Sequence, residues 1–263
     1  MELGLTDKIA VVTASSKGLG KAVAEALAQE GARLAICSRD ERRISETGDY
    51  LKNRYHADVF ACACDVEDRR SVEFFAKEVI KKFGGAHILF ANSGGPPSGT
   101  LDTFTAADFE KALNMNLMSA INLTYAFLPT MKDQKWGRII ASTSITVKQP
   151  VPTLALSNVS RVGVVAFIKT LSREVAPFNI TANSVAPGYI MTDRVVQLYR
   201  ERAKNENRPY EDAIRDLEKN IPPGRIGKPE EFGSLVAFLA SERAAYINGE
   251  TILIDGGMYQ GLM

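Results

Sequence analysis

Cysteine and histidine are scarce in this chain of 263 residues, which has three of the former and two of the latter. Three cysteines are too few for a disulfide framework. Cys37, Cys62 and Cys64 all lie in strand-like segments, where a small buried apolar side chain is the usual role. His56 and His87 stand apart from any cluster with metal-ligand spacing. We therefore expect neither a disulfide framework nor a metal site.

The sequence also lacks a charge bias and a long apolar run. Its 32 Lys and Arg residues are matched by 31 Asp and Glu residues, so nothing points to nucleic acid or an anionic membrane surface. No stretch approaches the roughly 18 apolar residues of a membrane span, and the first residues lack the basic flank of a signal peptide. We expect a cytoplasmic protein that binds a small molecule, not nucleic acid or a membrane.

Seven short apolar or β-branched runs alternate with longer amphipathic segments. This alternation predicts an α/β fold with a doubly wound parallel seven-stranded sheet of Rossmann type and helices on both faces. We expect residues 1–263 to form a single domain that binds its ligand beyond the carboxyl ends of the strands. The predicted strands are 8–13, 33–37, 59–64, 87–92, 137–143, 181–186 and 251–255.

A highly charged stretch at 199–225 follows the sixth predicted strand. Its pattern predicts two helical pieces hinged near Pro209. Because it leaves the sheet at the expected ligand edge, we predict a lid over the cleft at about 193–224. The alternative is a solvent-exposed surface segment with no role in binding.

The first predicted strand runs directly into "TASSKGLG" (13–20), a turn that opens a helix. Gly18 and Gly20 allow the backbone to approach a pyrophosphate, and a helix N-terminus offers free N–H groups. This arrangement favours nucleotide binding over a plain tight turn. Ala14 stands where many such loops have their first glycine, so the turn must tolerate a Cβ atom.

The end of the second predicted strand indicates which nucleotide is bound. An acidic residue there accepts from an unmodified ribose 2′-hydroxyl, whereas arginine favours a 2′-phosphate. The sequence is "ICSRD", and Arg39 with Lys17 of the glycine turn could converge on one phosphate. Together they favour NADP(H) over NAD(H), and Asp40 opposes that choice.

Ordered motifs along nearly the whole chain resemble those of the short-chain dehydrogenase/reductase family. The stretch 13–20 resembles its TGxxxGxG loop, "CDV" (64–66) its adenine-contacting acid and valine, and "ANSGG" (91–95) its NNAG turn. The stretch "VAPGYIMTD" (185–193) is similar to its PG motif, and 224–257 is especially similar to the 3-oxoacyl-acyl-carrier-protein reductase branch. The resemblance implies a nicotinamide-dependent reductase of small-molecule carbonyl substrates.

The same resemblance implies which residues contact the cofactor and the substrate. Asn116, in "MNLMSA", is placed like the active-site asparagine, and Ser144, at the end of "RIIASTS", like the catalytic serine. Thr192 is placed like the residue that holds the nicotinamide amide. The cofactor-binding residues implied are Thr13, Ser15, Ser16, Lys17, Gly18, Leu19, Gly20, Arg39, Asp65, Val66, Asn92, Ser93, Gly94, Pro187, Gly188, Ile190 and Thr192.

The catalytic YxxxK motif of the family is missing. Its tyrosine should stand thirteen residues after Ser144 and its lysine four further on, and these positions hold Ser157 and Arg161. No tyrosine occurs between Tyr125 and Tyr189, so no shift of register restores one. A serine hydroxyl is a far weaker acid than a phenol of pKa ~10, and arginine, with an ordinary pKa above ~12, preserves charge and binding but not proton transfer.

Three functions are compatible with this departure. In an atypical NADP(H)-dependent carbonyl reductase, Ser144, Ser157 and Asn116 would order a proton-donating water, and Arg161 would stabilise the oxyanion. An NADP(H)-binding sensor or oligomer partner would lack useful turnover. Non-redox chemistry resembling halohydrin dehalogenases is the third, although those enzymes keep the tyrosine and lose the glycine loop, the reverse of this chain.

Two further residues near the expected substrate entrance could supply the proton. These are Lys148, four residues after Ser144, and Tyr189, in the PG turn. An exposed loop lysine and a packing aromatic are the alternatives.

Family members usually tetramerise through two long helices and their C-terminal strands. The segment 154–176 carries more apolar surface than one sheet face covers, and the chain is uncharged after Asp255. We therefore expect a homotetramer or homodimer.

Overall fold

Seven parallel strands form one sheet in the computed structural model, which describes residues 2–262. The spatial order is β3-β2-β1-β4-β5-β6-β7, so the chain reverses its direction of winding between β1 and β4. Met1 and Met263, the two ends of the predicted domain, lie outside the described residues. The strands are β1 (Ile9–Val12), β2 (Arg33–Ser38), β3 (Val59–Ala63), β4 (Ile88–Ala91), β5 (Gly137–Ser142), β6 (Ile180–Pro187) and β7 (Thr251–Ile254).

The predicted fold class, a doubly wound parallel sheet with helices on both faces, is confirmed. Each strand begins and ends within one residue of the predicted bounds. The described helices are α1 (Gly18–Gln29), α2 (Glu41–Tyr55), α3 (Arg69–Phe83), α4 (Ala106–Leu113), α5 (Ser119–Gln134), α6 (Ala155–Val175), α7 (Asp193–Asn205), α8 (Tyr210–Lys219) and α9 (Pro229–Leu239).

The central strands are buried on both faces because a helical layer covers each face. All residues of β1, β4, β5 and β6 are buried, which accounts for their continuous apolar runs. On one face, Phe75 of α3 packs edge-on against Phe127 of α5 at 6.2 Å between ring centroids. On the other, Phe232 of α9 packs in the same way against Phe90 of β4, at 6.0 Å.

The three cysteines belong to the first of these layers. Cys37 and Cys64 are buried in the core, and Cys62 packs against it, so the sequence correctly placed them as small apolar side chains. Within residues 2–262, no group of His, Cys, Asp or Glu side chains could hold a metal ion. No helix in this part of the chain has the length and apolar character of a membrane span.

Helices α7 and α8 form a small core of their own beside the sheet. They lie on either side of Pro209, as predicted for the charged stretch. Tyr199, Leu217 and Ile221 are buried together there, apart from the two layers that cover the sheet. Because α7 begins directly after the β6 turn, its first residues lie at the carboxyl edge of the sheet. That these helices move as a lid stays a prediction.

Candidate functional site

A cleft of about 660 Å³ lies beyond the carboxyl ends of the strands. Its position matches the rule that open α/β sheets bind ligands where the winding reverses. Most of the residues predicted to bind the cofactor line it; Thr13, Ser15 and Gly20 do not. The predicted cofactor residues that do are Ser16, Lys17, Gly18, Leu19, Arg39, Asp65, Val66, Asn92, Ser93, Gly94, Pro187, Gly188, Ile190 and Thr192.

The turn after β1 presents backbone to the cleft. Helix α1 begins at Gly18, and Lys17 before it makes no side-chain cap, so the first N–H groups of α1 have no capping side chain. A Cβ atom on Gly20 would lie 2.4 Å from the carbonyl oxygen of Ala14, so only glycine fits there. Ala14 itself has φ of 49°, in the left-handed region that disfavours a side chain.

Thr13 and Ser15 hold this turn from beneath. Thr13 Oγ1 donates to the Asn92 carbonyl at 2.6 Å and accepts from the Asn92 N–H at 2.9 Å, which joins the ends of β1 and β4. Ser15 Oγ donates to the Val12 carbonyl at 3.0 Å. Both side chains are fully buried. They therefore shape the turn and are not exposed to a ligand in the cleft.

Two arginines line the cleft at the end of β2. Arg39 Nη1 lies 3.6 Å from Glu67 Oε1, and Arg43 Nε lies 3.2 Å from Asp40 Oδ2. Asp40 accepts from the Arg43 N–H and caps α2, so this carboxylate serves the helix N-terminus. Asp40 is therefore a weaker argument for NAD(H) than the sequence alone suggested. The sequence interpretation missed Arg43, although its spacing of four residues from Arg39 was visible.

Lys17 and Arg39, which the sequence suggested converge on one phosphate, each pair with an acidic side chain. Lys17 Nζ lies 3.1 Å from Asp193 Oδ2 at the start of α7. Arg39 pairs with Glu67. Exposed ion pairs of this kind contribute little free energy, so each cation remains available to an anionic ligand. That Lys17 and Arg39 converge on one phosphate stays a prediction, and Arg43 is a third cation that lines the cleft.

Asn116 lies in a π-helical turn, Asn114–Met118, between α4 and α5. Its amide nitrogen donates to Ser93 Oγ at 2.8 Å and to the Gly94 carbonyl at 3.1 Å, and its amide oxygen accepts from Ser160 Oγ at 2.8 Å. It is buried and does not line the cleft. Since both of its N–H donors are engaged, Asn116 positions the loop after β4. That Asn116 helps to order a water, as the sequence interpretation expected, stays a prediction.

Ser144 and Ser157 both line the cleft. Ser144 Oγ accepts from the Thr146 N–H at 3.2 Å, which leaves its own hydrogen free to donate. Ser157, in the first turn of α6, lies 3.4 Å from Thr146 Oγ1. Thr146 therefore links the two serines.

Arg161 lies one turn after Ser157 on α6, with only 8% of its surface exposed. Its Nη1 donates to the carbonyls of Ser142 at 3.0 Å and Thr143 at 3.1 Å, and its Nη2 lies 3.5 Å from the Gly94 carbonyl. A guanidinium has five N–H donors, so donors remain for a ligand. Within residues 2–262, no carboxylate forms a salt bridge with Arg161.

Burial lowers the pKa of Arg161 to about 10, and the nearby charge of Arg194 contributes to this lowering. The guanidinium nevertheless remains protonated at neutral pH. An unneutralised buried cation is costly unless a ligand compensates it. Because Arg161 lines the cleft together with Ser144, it can bind a ligand as well as hold the end of β5 and the loop after β4 in place.

The two other proton donors considered from the sequence differ in placement. Lys148 is exposed and does not line the cleft, so the alternative of a surface lysine is the better description. Tyr189 lines the cleft and packs edge-on against Tyr199, at 5.7 Å between ring centroids. Its ring is a packing aromatic, as the alternative had it.

Comparison with known proteins gives one consistent assignment. The family model described as Enoyl-(Acyl carrier protein) reductase matches residues 13–259. The chain is 35% identical over 257 residues to 3-oxoacyl-[acyl-carrier-protein] reductase FabG of Vibrio cholerae, covering 98% of this chain and 99% of that one. It is 33% identical to human dehydrogenase/reductase SDR family member 4, covering 96% of this chain and 88% of that one.

Solved structures show the same architecture. L-sorbose reductase from Gluconobacter frateurii, complexed with NADPH and L-sorbose, superposes with a TM-score of 0.95 at 32% identity over 100% of both chains. An NADPH-bound short chain oxidoreductase from Pseudomonas aeruginosa, described as containing an atypical catalytic center, superposes with a TM-score of 0.89 at 30% identity. That alignment covers 97% of this chain and 99% of the other.

The glycine turn yields a paired prediction. Ala14→Gly should raise the free energy of unfolding by up to about 1 kcal/mol, because it relieves a left-handed side chain. Gly20→Ala should destabilise the protein and abolish nucleotide binding, since its Cβ would collide with the Ala14 carbonyl. Urea denaturation and NADPH titration of both variants test this. A marked loss of stability in Ala14→Gly would show that the turn is not strained as described.

Proposed function

The chain belongs to the short-chain dehydrogenase/reductase family, and from this membership we propose that it is an NADP(H)-dependent carbonyl reductase with an altered proton donor. One observation carries the proposal: a buried guanidinium, Arg161, and a free hydroxyl donor, Ser144, line the same cleft. Both groups can stabilise negative charge that develops on a carbonyl oxygen. The relatives bound to NADPH support the choice of cofactor.

The cleft suits a nicotinamide dinucleotide on structural grounds. The uncapped N-terminus of α1 and the close approach at Gly20 suit a pyrophosphate. Arg39 and Arg43 suit a 2′-phosphate, and Thr192, at the start of α7, lines the same cleft beside Gly18 of the glycine turn. When bound, NADPH supplies the hydride.

The residues of the chain would complete the reduction at the oxygen atom. As the carbonyl carbon gains a C–H bond and the C=O π bond breaks, Ser144 donates a hydrogen bond to the oxygen and Arg161 stabilises its negative charge. We place the proton transfer from solvent through a water molecule ordered by the hydroxyls of Ser144 and Ser157, which share Thr146 as a neighbour. The carbonyl is reduced to an alcohol, and solvent loses the proton.

Loss of the phenol should restrict the enzyme to activated carbonyls. A missing general acid costs about 10²- to 10⁴-fold in rate, so hydride acceptors that need little protonation are favoured. Diketones, ketoesters and quinones are of this kind. A nucleotide-binding sensor without turnover is the outcome to be distinguished from this one.

The cofactor preference should depend on the two arginines after β2. We expect NADPH to bind more tightly than NADH. Arg39→Ala or Arg43→Ala should each lower the ratio of the NADH Kd to the NADPH Kd by about 10-fold or more, since each removes a charge-assisted contact. Lys17→Ala, which breaks the ion pair with Asp193, should lower this ratio less. Arg42→Ala is the control, because Arg42 pairs with Glu46 and does not line the cleft. Equal affinities in the unmutated protein, measured by titration, would end this assignment.

The catalytic proposal is tested by restoring the missing pair. The unmutated protein should oxidise NADPH slowly with activated carbonyls, and Ser144→Ala should lower that rate about 10²-fold or more. Ser157→Tyr combined with Arg161→Lys should raise kcat/KM on ordinary ketones by about 10²-fold. Neither change alone should do so, because the phenol needs the lysine to lower its pKa.

Spectrophotometric assays over a broad carbonyl panel measure these rates. Arg161→Ala should weaken cofactor binding as well as turnover, since it removes a charge from the cleft. If NADPH binds but neither the unmutated protein nor the double variant reduces any carbonyl compound, the sensor hypothesis replaces the reductase hypothesis.

We also propose a homotetramer or homodimer that uses α5 and α6. Tyr125 of α5 and Val159 and Val162 of α6 are exposed apolar side chains. Light scattering at micromolar concentration should give the mass of two or four chains, and Val159→Glu with Val162→Glu should lower it. Phe74→Glu, at an exposed apolar position on α3, is the matched control and should leave the mass unchanged. A monomeric mass for the unmutated chain would contradict the proposal.

A further inference from the structure

The positively charged side chains that line the cleft differ in whether they have acidic neighbours. The acidic residues that line it are Asp40, Asp65, Glu67 and Asp193. Asp40 and Asp65, after β2 and β3, accept hydrogen bonds from backbone N–H groups. Glu67 lies beside Arg39, and Asp193 pairs with Lys17 of the glycine turn. Lys17, Arg39 and Arg43 therefore have acidic neighbours.

Among the described residues, two further arginines of the cleft, Arg161 and Arg194, have no such acidic neighbours. Arg194, in the first turn of α7, lines the cleft and donates from Nη2 to the Pro96 carbonyl at 2.7 Å. A Cβ atom on Gly95 would lie 3.4 Å from Arg194 Nε, so this side chain lies directly on the loop after β4. Arg161 reaches the same loop from below, at the Gly94 carbonyl. In the part of the chain that the structure describes, no carboxylate lies within 4.0 Å of either guanidinium.

The two guanidinium groups influence one another. The charge of Arg194 contributes to lowering the pKa of Arg161, after the larger effect of burial. Burial also lowers the pKa of Arg194, and Glu201 opposes that shift from a greater distance. Glu201 accepts from Gln197 Nε2 at 2.9 Å, within α7. A ligand with a negative group would relieve the repulsion and the desolvation of both cations.

From this juxtaposition we infer that the carbonyl substrate is a small oxo acid, whose carboxylate is bound by Arg194 while its carbonyl oxygen faces Ser144 and Arg161. The inference rests on the proposed reductase function and names its substrate class. A guanidinium binds a carboxylate through two parallel hydrogen bonds, and Arg194 has donors left after its bond to Pro96. Arg194 is thus a specificity-determining residue, separate from the residues at the reacting oxygen.

The first test compares each acid with its neutral ester. The ratio of kcat/KM for acetoacetate to that for methyl acetoacetate, and the same ratio for pyruvate and methyl pyruvate, is measured in the unmutated protein. Arg194→Gln should lower these ratios by about 10- to 100-fold, and Arg194→Lys should restore part of the loss. Arg200→Gln, an equal change of charge on an exposed part of α7, should leave the ratios unchanged.

A second test needs no turnover. Malonate and its neutral diamide are titrated into the NADPH complex, with NADPH fluorescence as the readout. Malonate should bind more tightly than malonamide, and Arg194→Gln should remove the difference while leaving the Kd for NADPH within about two-fold.

The possible failures are distinguishable. If no carbonyl compound is reduced, the reductase proposal fails, and the malonate titration still decides the binding of a carboxylate. If acids and esters are reduced equally well in the unmutated protein, or if malonate binds no better than its diamide, the inference is wrong. If Arg194→Gln weakens NADPH binding and slows all substrates alike, Arg194 serves the cofactor and the inference is overturned.

Discussion

A buried guanidinium joins the segments that form the reacting end of the cleft. Arg161 reaches from α6 to the last carbonyls of β5 and to the loop after β4. Asn116 holds the same loop through the Gly94 carbonyl, and Ser160 supports Asn116 from α6. The relative positions of β4, β5 and α6 at this edge therefore depend on the hydrogen bonds of the Arg161 guanidinium and the Asn116 amide. In the described part of the chain, no acidic side chain forms a salt bridge with Arg161.

The rest of the cleft follows from the parallel sheet. Parallel strands place all their carboxyl ends at one edge, so the turns after β1, β2, β4, β5 and β6 meet there. Anion-binding features are distributed along this edge: the N-terminus of α1, the arginines after β2, and Arg161 with Arg194 beside the loop after β4. Such an edge suits a long, multiply charged ligand with an oxyanion forming at one end. A phenol is not required for binding; it is required only for rapid protonation.

Regular spacing explains what could be predicted from the sequence. Strand bounds were predictable because apolar runs are bounded by turn residues. Ser157 and Arg161 were predictable because the resemblance to the family fixes their distance from Ser144 in the chain. The hydrogen-bond and ion-pair partners of the polar side chains were not predictable in the same way. Asp40 caps α2, and Lys17 pairs with Asp193, which is 176 residues away in the chain. Asn116 is withdrawn from the cleft by contacts with Ser93 and Ser160, which only the folded chain brings together.

The central claim is that hydride reaches a carbonyl carbon in this cleft without a phenol. Incubation of the protein with NADPH deuterated at either face of C4 and an activated diketone tests it most directly, with mass spectrometry of the alcohol as the readout. We expect deuterium from one face only, located on the carbinol carbon, and loss of this transfer in Arg161→Ala. Binding of the labelled NADPH with no deuterium in any product would contradict the claim.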